Sequence, residues 1–304
     1  MIKFILKLKE FVELINNFIS STSSTLISLI KIPLLSQFNF QLPKSFNKEI
    51  VVIGNGPSFT DAYNNHKFFF DDKDIICVNG FPSSEEYSQL KPCMLVWLDV
   101  GFYPRNKSEL RPDLSKLLDD IVLKTTWRIN IFLPQLAKHA KFLKELESLN
   151  PLIKIQYFNY TIVDGFNWFK NFIYKINLGM PLCQNVVVAA TFLSVSMKYN
   201  KVYLTGVENS FFRDIIVDDD NQIVLNHNHF YDKNLKNAPL KIYKRPDTKE
   251  SVDIAGVLMM AVKTFKGYKN VQMYAKHIGV SIYNLSTDSY VDAFERKKIE
   301  DIDA

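Results

Sequence analysis

Cysteine is scarce in this chain, which has only three, Cys77, Cys93 and Cys183. They are scattered, they form no CxxC pair, and no cysteine–histidine spacing suited to zinc accompanies them. A disulfide framework and a structural zinc site are therefore not expected. Two of the thiols sit within apolar runs, which is typical of small buried side chains. The pattern predicts a chain that operates in a reducing compartment, the cytoplasm.

The chain also has little excess of charge of either sign. The formal net charge is +5, hydrophobic residues make up 47% of the chain, and charged residues make up 23%. This is the composition of an ordinary globular protein. The positive excess is too small and too dispersed to indicate nucleic-acid binding, although it suits an anionic substrate or a membrane surface. A chain of 304 residues allows one α/β domain with appendages.

The N-terminal region, residues 1–45, is predicted to be a separate amphipathic helical extension. Apolar residues from Phe4 to Ile19 recur at helical spacing, and most of the lysines and glutamates fall on the opposite face. These charges interrupt the apolar run too early for a membrane-spanning helix, and no signal-peptide cleavage pattern follows. Two interpretations stay open: peripheral membrane contact through residues 1–36, or packing on the body or on a partner.

Residues 46–304 alternate short β-branched runs with longer amphipathic ones, a pattern typical of βαβ units. It predicts a Rossmann-like α/β domain with a mostly parallel sheet and helices on both faces. Strands are predicted at 50–54, 74–79, 94–99, 128–133, 153–158, 201–206 and 280–285. Helices are predicted near 60–70, 112–123, 135–148, 185–199 and 252–277. The polar segment 207–248 breaks this alternation and is predicted to be a lid insertion, with a plain surface excursion as the alternative.

Glycine marks the first candidate site, in the stretch VVIGNGPSF. Gly54 and Gly56 follow a buried strand, and Pro57 with Ser58 suits the first turn of a helix, where free amides attract a phosphate. Phe59 replaces the third glycine of the dinucleotide fingerprint, and no GK[ST] follows. The ordinary Rossmann and P-loop motifs are therefore excluded. A nucleotide-phosphate turn and a plain tight turn both remain open.

Polar residues end three further predicted strands. Asn79 closes the second, Asp99 closes the third, and Glu208 with Asn209 follows the sixth. Because ligands bind at the carboxyl ends of parallel strands, these residues are candidates for a shared site. Arg213 could pair with a phosphate or a carboxylate. For Asn79 and Asp99, the alternative is a turn residue that caps a strand. For Glu208 and Arg213, the alternative is a salt-bridged pair on the surface.

Histidine is rare too, with five in the chain. His227 and His229 both lie in the predicted lid, in HNHFYD. A neutral imidazole can take a proton from a sugar hydroxyl, so both are candidate general bases. No third ligand is obvious beside them, which disfavours a metal site. The acidic run at 218–220 superficially resembles an Asp-x-Asp metal motif, but its setting predicts a solvated hairpin turn.

The order of these motifs resembles bacterial CMP-sialic acid-dependent sialyltransferases. It is also similar to a domain of motility-associated flagellin glycosyltransferases and of 6-hydroxymethylpterin diphosphokinase-like proteins. The resemblance covers roughly residues 49–290 and rests on GNGPS, the strand end CVNGF, the buried helix before YLTGV and the histidine-bearing lid. It implies an inverting glycosyltransferase without a metal cofactor. The enzyme would move a sialic acid-like or other CMP-activated sugar to a surface glycan, such as lipopolysaccharide or capsule.

The resemblance also implies roles for individual residues. The implied nucleotide contacts are Gly54, Asn55, Gly56, Pro57, Ser58, Asn79, Gln184 and Asn185, the last two replacing a Thr-Ser-Gly at the helix start. The implied donor or acceptor sugar contacts are Asp99, Glu208 and Asn209. His229 would deprotonate the acceptor, with His227 as the second choice. Arg213, Tyr231 or Tyr243 would support the leaving phosphate.

Three functions stay open. The first is a CMP-sugar glycosyltransferase on the inner face of the cytoplasmic membrane, acting on an acceptor that can be lipid-linked. The second is a diphosphotransferase that uses ATP and Mg²⁺ on a pterin, which predicts carboxylates around the glycine turn, where only Asp61 is near. The third is a non-catalytic glycan-assembly partner, in which the lid histidines could be replaced without loss.

Overall fold

The helices and strands of this chain are taken from a computed structural model, which describes residues 2–45, 47–225, 240–241 and 250–302. The strands are β1 (Glu49–Ile53), β2 (Asp74–Val78), β3 (Met94–Val96), β4 (Ile129–Pro134), β5 (Ile153–Phe158), β6 (Lys201–Thr205), β7 (Ile215–Val217), β8 (Ile223–Leu225), β9 (Leu240–Lys241), β10 (Ser281–Asn284) and β11 (Glu295–Arg296). The helices are α1 (Ile2–Leu35), α2 (Ser58–Asn65), α3 (Glu86–Leu90), α4 (Pro112–Lys124), α5 (Glu145–Leu149), α6 (Asn167–Lys175), α7 (Val186–Ser196) and α8 (Ile254–Ile278).

The main sheet is eight-stranded, in the order β11-β10-β6-β1-β2-β3-β4-β5. Every neighbouring pair in it is parallel. The chain runs from β1 to one edge of the sheet and then returns with β6 to the other side of β1. This reversal is a topological switch point, and ligands bind outside the carboxyl ends of strands at such points. The predicted Rossmann-like α/β fold is confirmed.

Apolar side chains fill both faces of the sheet. One layer lies under α6, α7 and α8, and the other lies under α2 and α4. In α7 every residue from Val186 to Val195 is buried. This confirms the prediction, made from its uninterrupted apolar composition, that the helix packs against the sheet.

Two predicted helices, near 60–70 and at 135–148, are wrong as single elements. The first is α2 followed by the 3-10 segment Lys67–Phe70. The second forms two 3-10 segments, Gln135–His139 and Lys141–Lys144, followed by α5. Its backbone amides, such as that of Leu143, bond to the carbonyl three residues back, which is 3-10 geometry. The sequence pattern also does not predict α3, α6 and β11. Helix α3 and strand β11 span five and two residues, which is too short for apolar residues to establish a clear period. Helix α6 buries Phe169 and Ile173 at helical spacing, so its period could have been recognised.

Helix α1 contacts the body through hydroxyl side chains. Thr25, Ser28 and Ile32 are the buried residues of this helix. Ser28 Oγ donates to the carbonyl of Asp164 at 2.9 Å, and Thr25 Oγ1 accepts from the amide of Phe166 at 3.1 Å. The docked face is therefore mainly the serine and threonine face in the second half of the helix, together with Ile32. Of the apolar stripe found in the sequence, Phe18 contacts the body, with its ring centroid 5.6 Å from that of Phe166.

The apolar side chains of α1 face outward. Residues 3–20 are all exposed, and so are Leu26, Ile27, Leu29, Ile30, Leu34 and Leu35. By length and composition alone, Lys3–Leu35 could cross a membrane. A span is not expected from the sequence, because charges interrupt the apolar run, and buried core helices and signal sequences can be equally long and apolar. What is established is a long helix that carries a large exposed apolar surface.

The predicted lid begins with a hairpin. Strands β7, β8 and β9 form a three-stranded antiparallel sheet. The amide of Gln222 donates to Asp218 Oδ1 at 2.7 Å across the turn, so the predicted hairpin turn is confirmed. The candidate lid residues His227, His229, Tyr231 and Tyr243 lie outside the described residues.

Candidate functional site

A cleft of about 970 Å³ lies over the carboxyl ends of β2, β3, β4 and β5, beside the start of α7. We call it the strand-end cleft. This volume suits a small-molecule ligand of drug size or larger. Its lining comprises Leu34, Leu35, Asn79, Leu98, Asp99, Val100, Tyr103, Pro134, Gln135, Leu136, Tyr160, Thr161, Leu182, Cys183, Gln184, Asn185 and Val186.

Four predicted site residues meet in the strand-end cleft: Asn79, Asp99, Gln184 and Asn185. Asn79 adopts a left-handed backbone with φ 50°, and its carbonyl accepts from Trp97 Nε1 at 3.1 Å. Its side-chain Oδ1 is buried and has no hydrogen-bond partner among the described residues. A buried acceptor without a partner costs free energy, which a donor group of a ligand in the cleft would recover.

Asn185 fixes the start of α7. Its Oδ1 accepts from the amide of Val188 at 3.0 Å, which is an N-cap. Its Nδ2 donates to Asn209 Oδ1 at 2.8 Å, and Asn209 Nδ2 donates to the hydroxyl of Tyr268 at 3.0 Å. Burial raises the pKa of Tyr268 well above its usual range, so the phenol stays neutral. This network joins the start of α7, the loop after β6 and helix α8.

Asp99 lies exposed at the rim of the strand-end cleft. Its Oδ1 accepts from the amide of Gly101 at 2.7 Å and so begins a 3-10 turn. This is the turn-capping geometry that the sequence left open as an alternative. Gln184 is exposed at the same cleft, directly before the cap of α7.

The glycine turn, residues 54–58, is joined to the loop after β6 by backbone hydrogen bonds. The amide of Gly54 donates to the carbonyl of Thr205 at 2.8 Å, and the amide of Gly56 donates to that of Gly206 at 2.9 Å. A Cβ at position 54 would stand 2.3 Å from Gly206 O. Glycine is required here because two backbones approach closely.

Glu208 reaches across this contact to the start of α2. Its Oε1 accepts from the amide of Ser58 at 2.9 Å. A Cβ at position 56 would lie 1.4 Å from Glu208 Oε2, so Gly56 leaves the space that the carboxylate fills. Glu208 is only 8% exposed. The carboxylate thus lies at the positive end of a helix, where anions are stabilised.

The structure does not bring all predicted residues into one cavity. Ser58 lines a second cleft of about 680 Å³, between α2 and residues 284–301, which we call the C-terminal cleft. Arg213 is not among the described residues that line either cleft, and its guanidinium lies 5.8 Å from the ring centroid of Tyr290. Within the described part of the chain, no group of three or more histidine, cysteine or acidic side chains is placed to hold a metal ion.

Several lining residues of the strand-end cleft are absent from the sequence-based prediction. Gln135 follows the carboxyl end of β4, and its Oε1 is buried without a partner among the described residues. The expectation that ligands bind at the carboxyl ends of parallel strands, which led to Asn79, applies equally to Gln135. Burial, with the nearby Asp99 carboxylate, raises the pKa of Tyr103 to about 12. No local signal marks Leu34 and Leu35 at the end of α1, because their place depends on how the helix docks.

No family model matches the sequence, and no curated protein matches it. Among solved structures, the chain is similar to the MAf glycosyltransferase from Magnetospirillum magneticum AMB-1, with a TM-score of 0.49 and 11% identity, over 86% of this chain and 35% of that one. It is also similar to a UDP-glucose 4-epimerase from Thermotoga maritima, solved with UDP-glucose, with a TM-score of 0.21 and 9% identity, over 78% of this chain and 54% of that one. The chain therefore spans about a third of the glycosyltransferase and about half of the epimerase. Likenesses at these TM-scores do not establish a shared activity.

Proposed function

We propose that the strand-end cleft binds a CMP-activated sugar and that the chain is an inverting glycosyltransferase. The observation that carries this proposal is the convergence of Asn79, Gln184 and Asn185 on one large cleft at the carboxyl edge of a parallel sheet. These residues come from distant parts of the sequence. They are also among the residues on which the resemblance to sialyltransferases assigns nucleotide contacts.

The polar groups of the cleft suit a nucleoside. The buried amide oxygens of Asn79 and Gln135 would accept hydrogen bonds from a base or from ribose hydroxyls. The phosphate is assigned to the glycine turn after β1, because β1 and β2 are neighbours and their carboxyl ends adjoin. Asp99, at the cleft rim, and Asn209, which is bonded to Asn185, are the proposed contacts to the sugars. Glu208 is not among the described residues that line the cleft, and its bond to the Ser58 amide favours a positioning role.

The proposed chemistry is displacement at the anomeric carbon. His229, or else His227, would take the proton of the acceptor hydroxyl, and Arg213 with Tyr231 would steady the leaving phosphate. Among the described residues that line the strand-end cleft, Asp99 is the only carboxylate. The C-terminal cleft, which Ser58 also lines, holds Asp61, Asp288, Glu300 and Asp301. The single carboxylate of the strand-end cleft favours a CMP leaving group there over ATP chemistry, since Mg²⁺ is held by carboxylates and phosphates.

The acceptor is proposed to be a glycan on a lipid carrier, reached at the inner face of the cytoplasmic membrane. Two observations support this assignment. Exposed apolar side chains cover α1, which suits peripheral membrane contact through residues 1–36. Leu34 and Leu35, at the end of this helix, line the same cleft as Asn79. An apolar wall would then continue from the membrane surface into the cleft.

A ligand panel followed by an activity assay tests the proposal. Thermal unfolding would be followed with CMP, CDP, UDP, GDP and ATP, and CMP should raise the midpoint most. CMP release from CMP-sugars would then be measured with the intact protein and with His229→Ala, which should be inactive while still stabilised by CMP. Stabilisation by ATP alone would favour the diphosphotransferase. CMP release that is unchanged in His229→Ala would reject the assigned base.

A further inference from the structure

The start of α2 has the chemistry of an anion site. This helix begins at Ser58, and the first amides of a helix, together with its dipole, attract negative groups. Ser58 is 7% exposed, and its Oγ has no hydrogen-bond partner among the described residues. Two donors of one residue, an amide and a hydroxyl, therefore lie at the same buried place.

An internal carboxylate already occupies this place. Glu208 Oε1 accepts from the Ser58 amide at 2.9 Å, across 150 residues of sequence. Two other amides of the turn, at Gly54 and Gly56, donate to carbonyls of the loop after β6, and Pro57 has none. The amide of Asn55 makes no backbone hydrogen bond of this kind among the described residues. A phosphate can therefore use the Ser58 amide only if the Glu208 carboxylate leaves.

The Glu208 carboxylate pairs with only one of the two donors of Ser58. It bonds to the Ser58 amide and leaves the Ser58 hydroxyl without a partner among the described residues. No ion pair to a cation within those residues balances the Glu208 charge, although only 8% of the residue is exposed. A phosphate has more acceptor oxygens and could use both donors.

We propose that the start of α2 is a phosphate site that Glu208 closes in the free protein and that opens when a phosphate group replaces its carboxylate. This inference rests on the proposed function in naming the phosphate, which is that of the nucleotide donor. Glu208 is then a positioning residue: it keeps the glycine turn and the loop after β6 together until the donor arrives. The exchange replaces hydrogen bonds only, and no covalent bond is formed or broken.

The test compares phosphate binding with and without the carboxylate. Inorganic phosphate, CMP and cytidine would be titrated calorimetrically into the intact protein, Glu208→Ala, Glu208→Gln and the control Asp61→Ala. Asp61 lies in the first turn of the same helix but is exposed, so its removal changes the charge without opening the site. Glu208→Ala should bind inorganic phosphate and CMP about tenfold more tightly and cytidine equally well. Asp61→Ala should change these affinities less than about twofold.

A second measurement reports on the intact protein. The ¹⁵N–¹H signal of the Ser58 amide should shift when CMP saturates the protein and stay unchanged with cytidine. If Glu208→Ala does not fold, Glu208→Gln should still tighten phosphate binding, because it removes the charge and keeps the shape. Unchanged or weaker phosphate affinity in folded Glu208 variants would overturn the inference. If CMP binds to no variant, the proposed function fails, and the inorganic phosphate titrations alone decide the role of Glu208.

Discussion

Gly165 and Thr25 touch so closely that a Cβ at position 165 would stand 2.0 Å from Thr25 Oγ1. Gly165 also has φ +125°, a backbone conformation that side chains other than glycine rarely adopt. This contact fixes the face by which α1 docks, because it requires a small polar residue on the helix and no side chain on the loop. Most apolar residues of α1 then point away from the body, whereas Ile32 is buried and Leu34 and Leu35 line the strand-end cleft.

Gly165→Ala should loosen the docked half of α1. The added methyl group collides with Thr25 and strains the backbone, so we expect the free energy of unfolding to fall by about 2 kcal/mol. Gly279→Ala is the control, since Gly279 has φ +77° but a Cβ there meets nothing within 4 Å. Urea unfolding of both variants gives the comparison. Equal losses would show that backbone strain alone, and not the contact with Thr25, accounts for the effect.

The N-terminal half of α1, in which residues 3–20 are exposed, should bind lipid. Phe11 is 60% exposed on this half, and Phe11→Asp should reduce sedimentation with vesicles of mixed anionic and neutral lipids about tenfold. Leu123→Asp is the matched control, because Leu123 is 79% exposed but lies on α4. The membrane assignment would be abandoned if the two variants bound vesicles as well as the unmodified protein.

The network around Asn185 should contribute to stability in two separable parts. Asn185→Ala removes the cap of α7 and the bond to Asn209, and we expect the free energy of unfolding to fall by about 2 kcal/mol. Tyr268→Phe removes only the hydroxyl and should cost about 1 kcal/mol. Guanidinium unfolding measures both. A larger loss in Tyr268→Phe would mean that the cap is not the main contribution.

The cysteines should be unreactive in the folded chain. Burial, with the nearby Asp74 carboxylate, raises the pKa of Cys93 from 9.0 to about 12, and burial also raises the pKa values of Cys77 and Cys183. Since the thiolate is the reactive form, alkylation by iodoacetamide at a pH of about 8 should be slow until the protein unfolds. The folded chain holds these protons more tightly than the unfolded chain. The stability they contribute is therefore present below pH 9.0 and is lost as the pH rises toward about 12. Rapid alkylation of the native protein would contradict this account.

Much of the sheet and part of the site could be predicted from the sequence. The alternation of β-branched and amphipathic runs gives the parallel sheet, and the carboxyl ends of its strands lead to Asn79. The cap of α7 by Asn185 follows from its place before an apolar run. These features depend on local periodicity and on a general rule about parallel sheets.

The remaining features depend on contacts between distant segments. The bond between Glu208 and Ser58 exists because β6 pairs with β1, a neighbour that strand order along the chain does not reveal. Apart from Ile32, the buried residues of the docked face of α1 are serine and threonine. Because their hydroxyls carry no apolar period, the exposed apolar stripe dominates the sequence pattern. The role of Leu34 and Leu35 in the cleft follows only from that docking.

The most direct measurement is the affinity of CMP for the strand-end cleft, obtained by calorimetric titration of the intact protein, Asn79→Ala and Asn106→Ala. Asn106 is the control because it is exposed and is not among the described residues that line either cleft. We predict that CMP binds more tightly than ATP, that Asn79→Ala weakens CMP binding about tenfold, and that Asn106→Ala leaves it unchanged. Binding of ATP alone, or equal losses in the two variants, would contradict the assignment of a CMP-sugar site to this cleft.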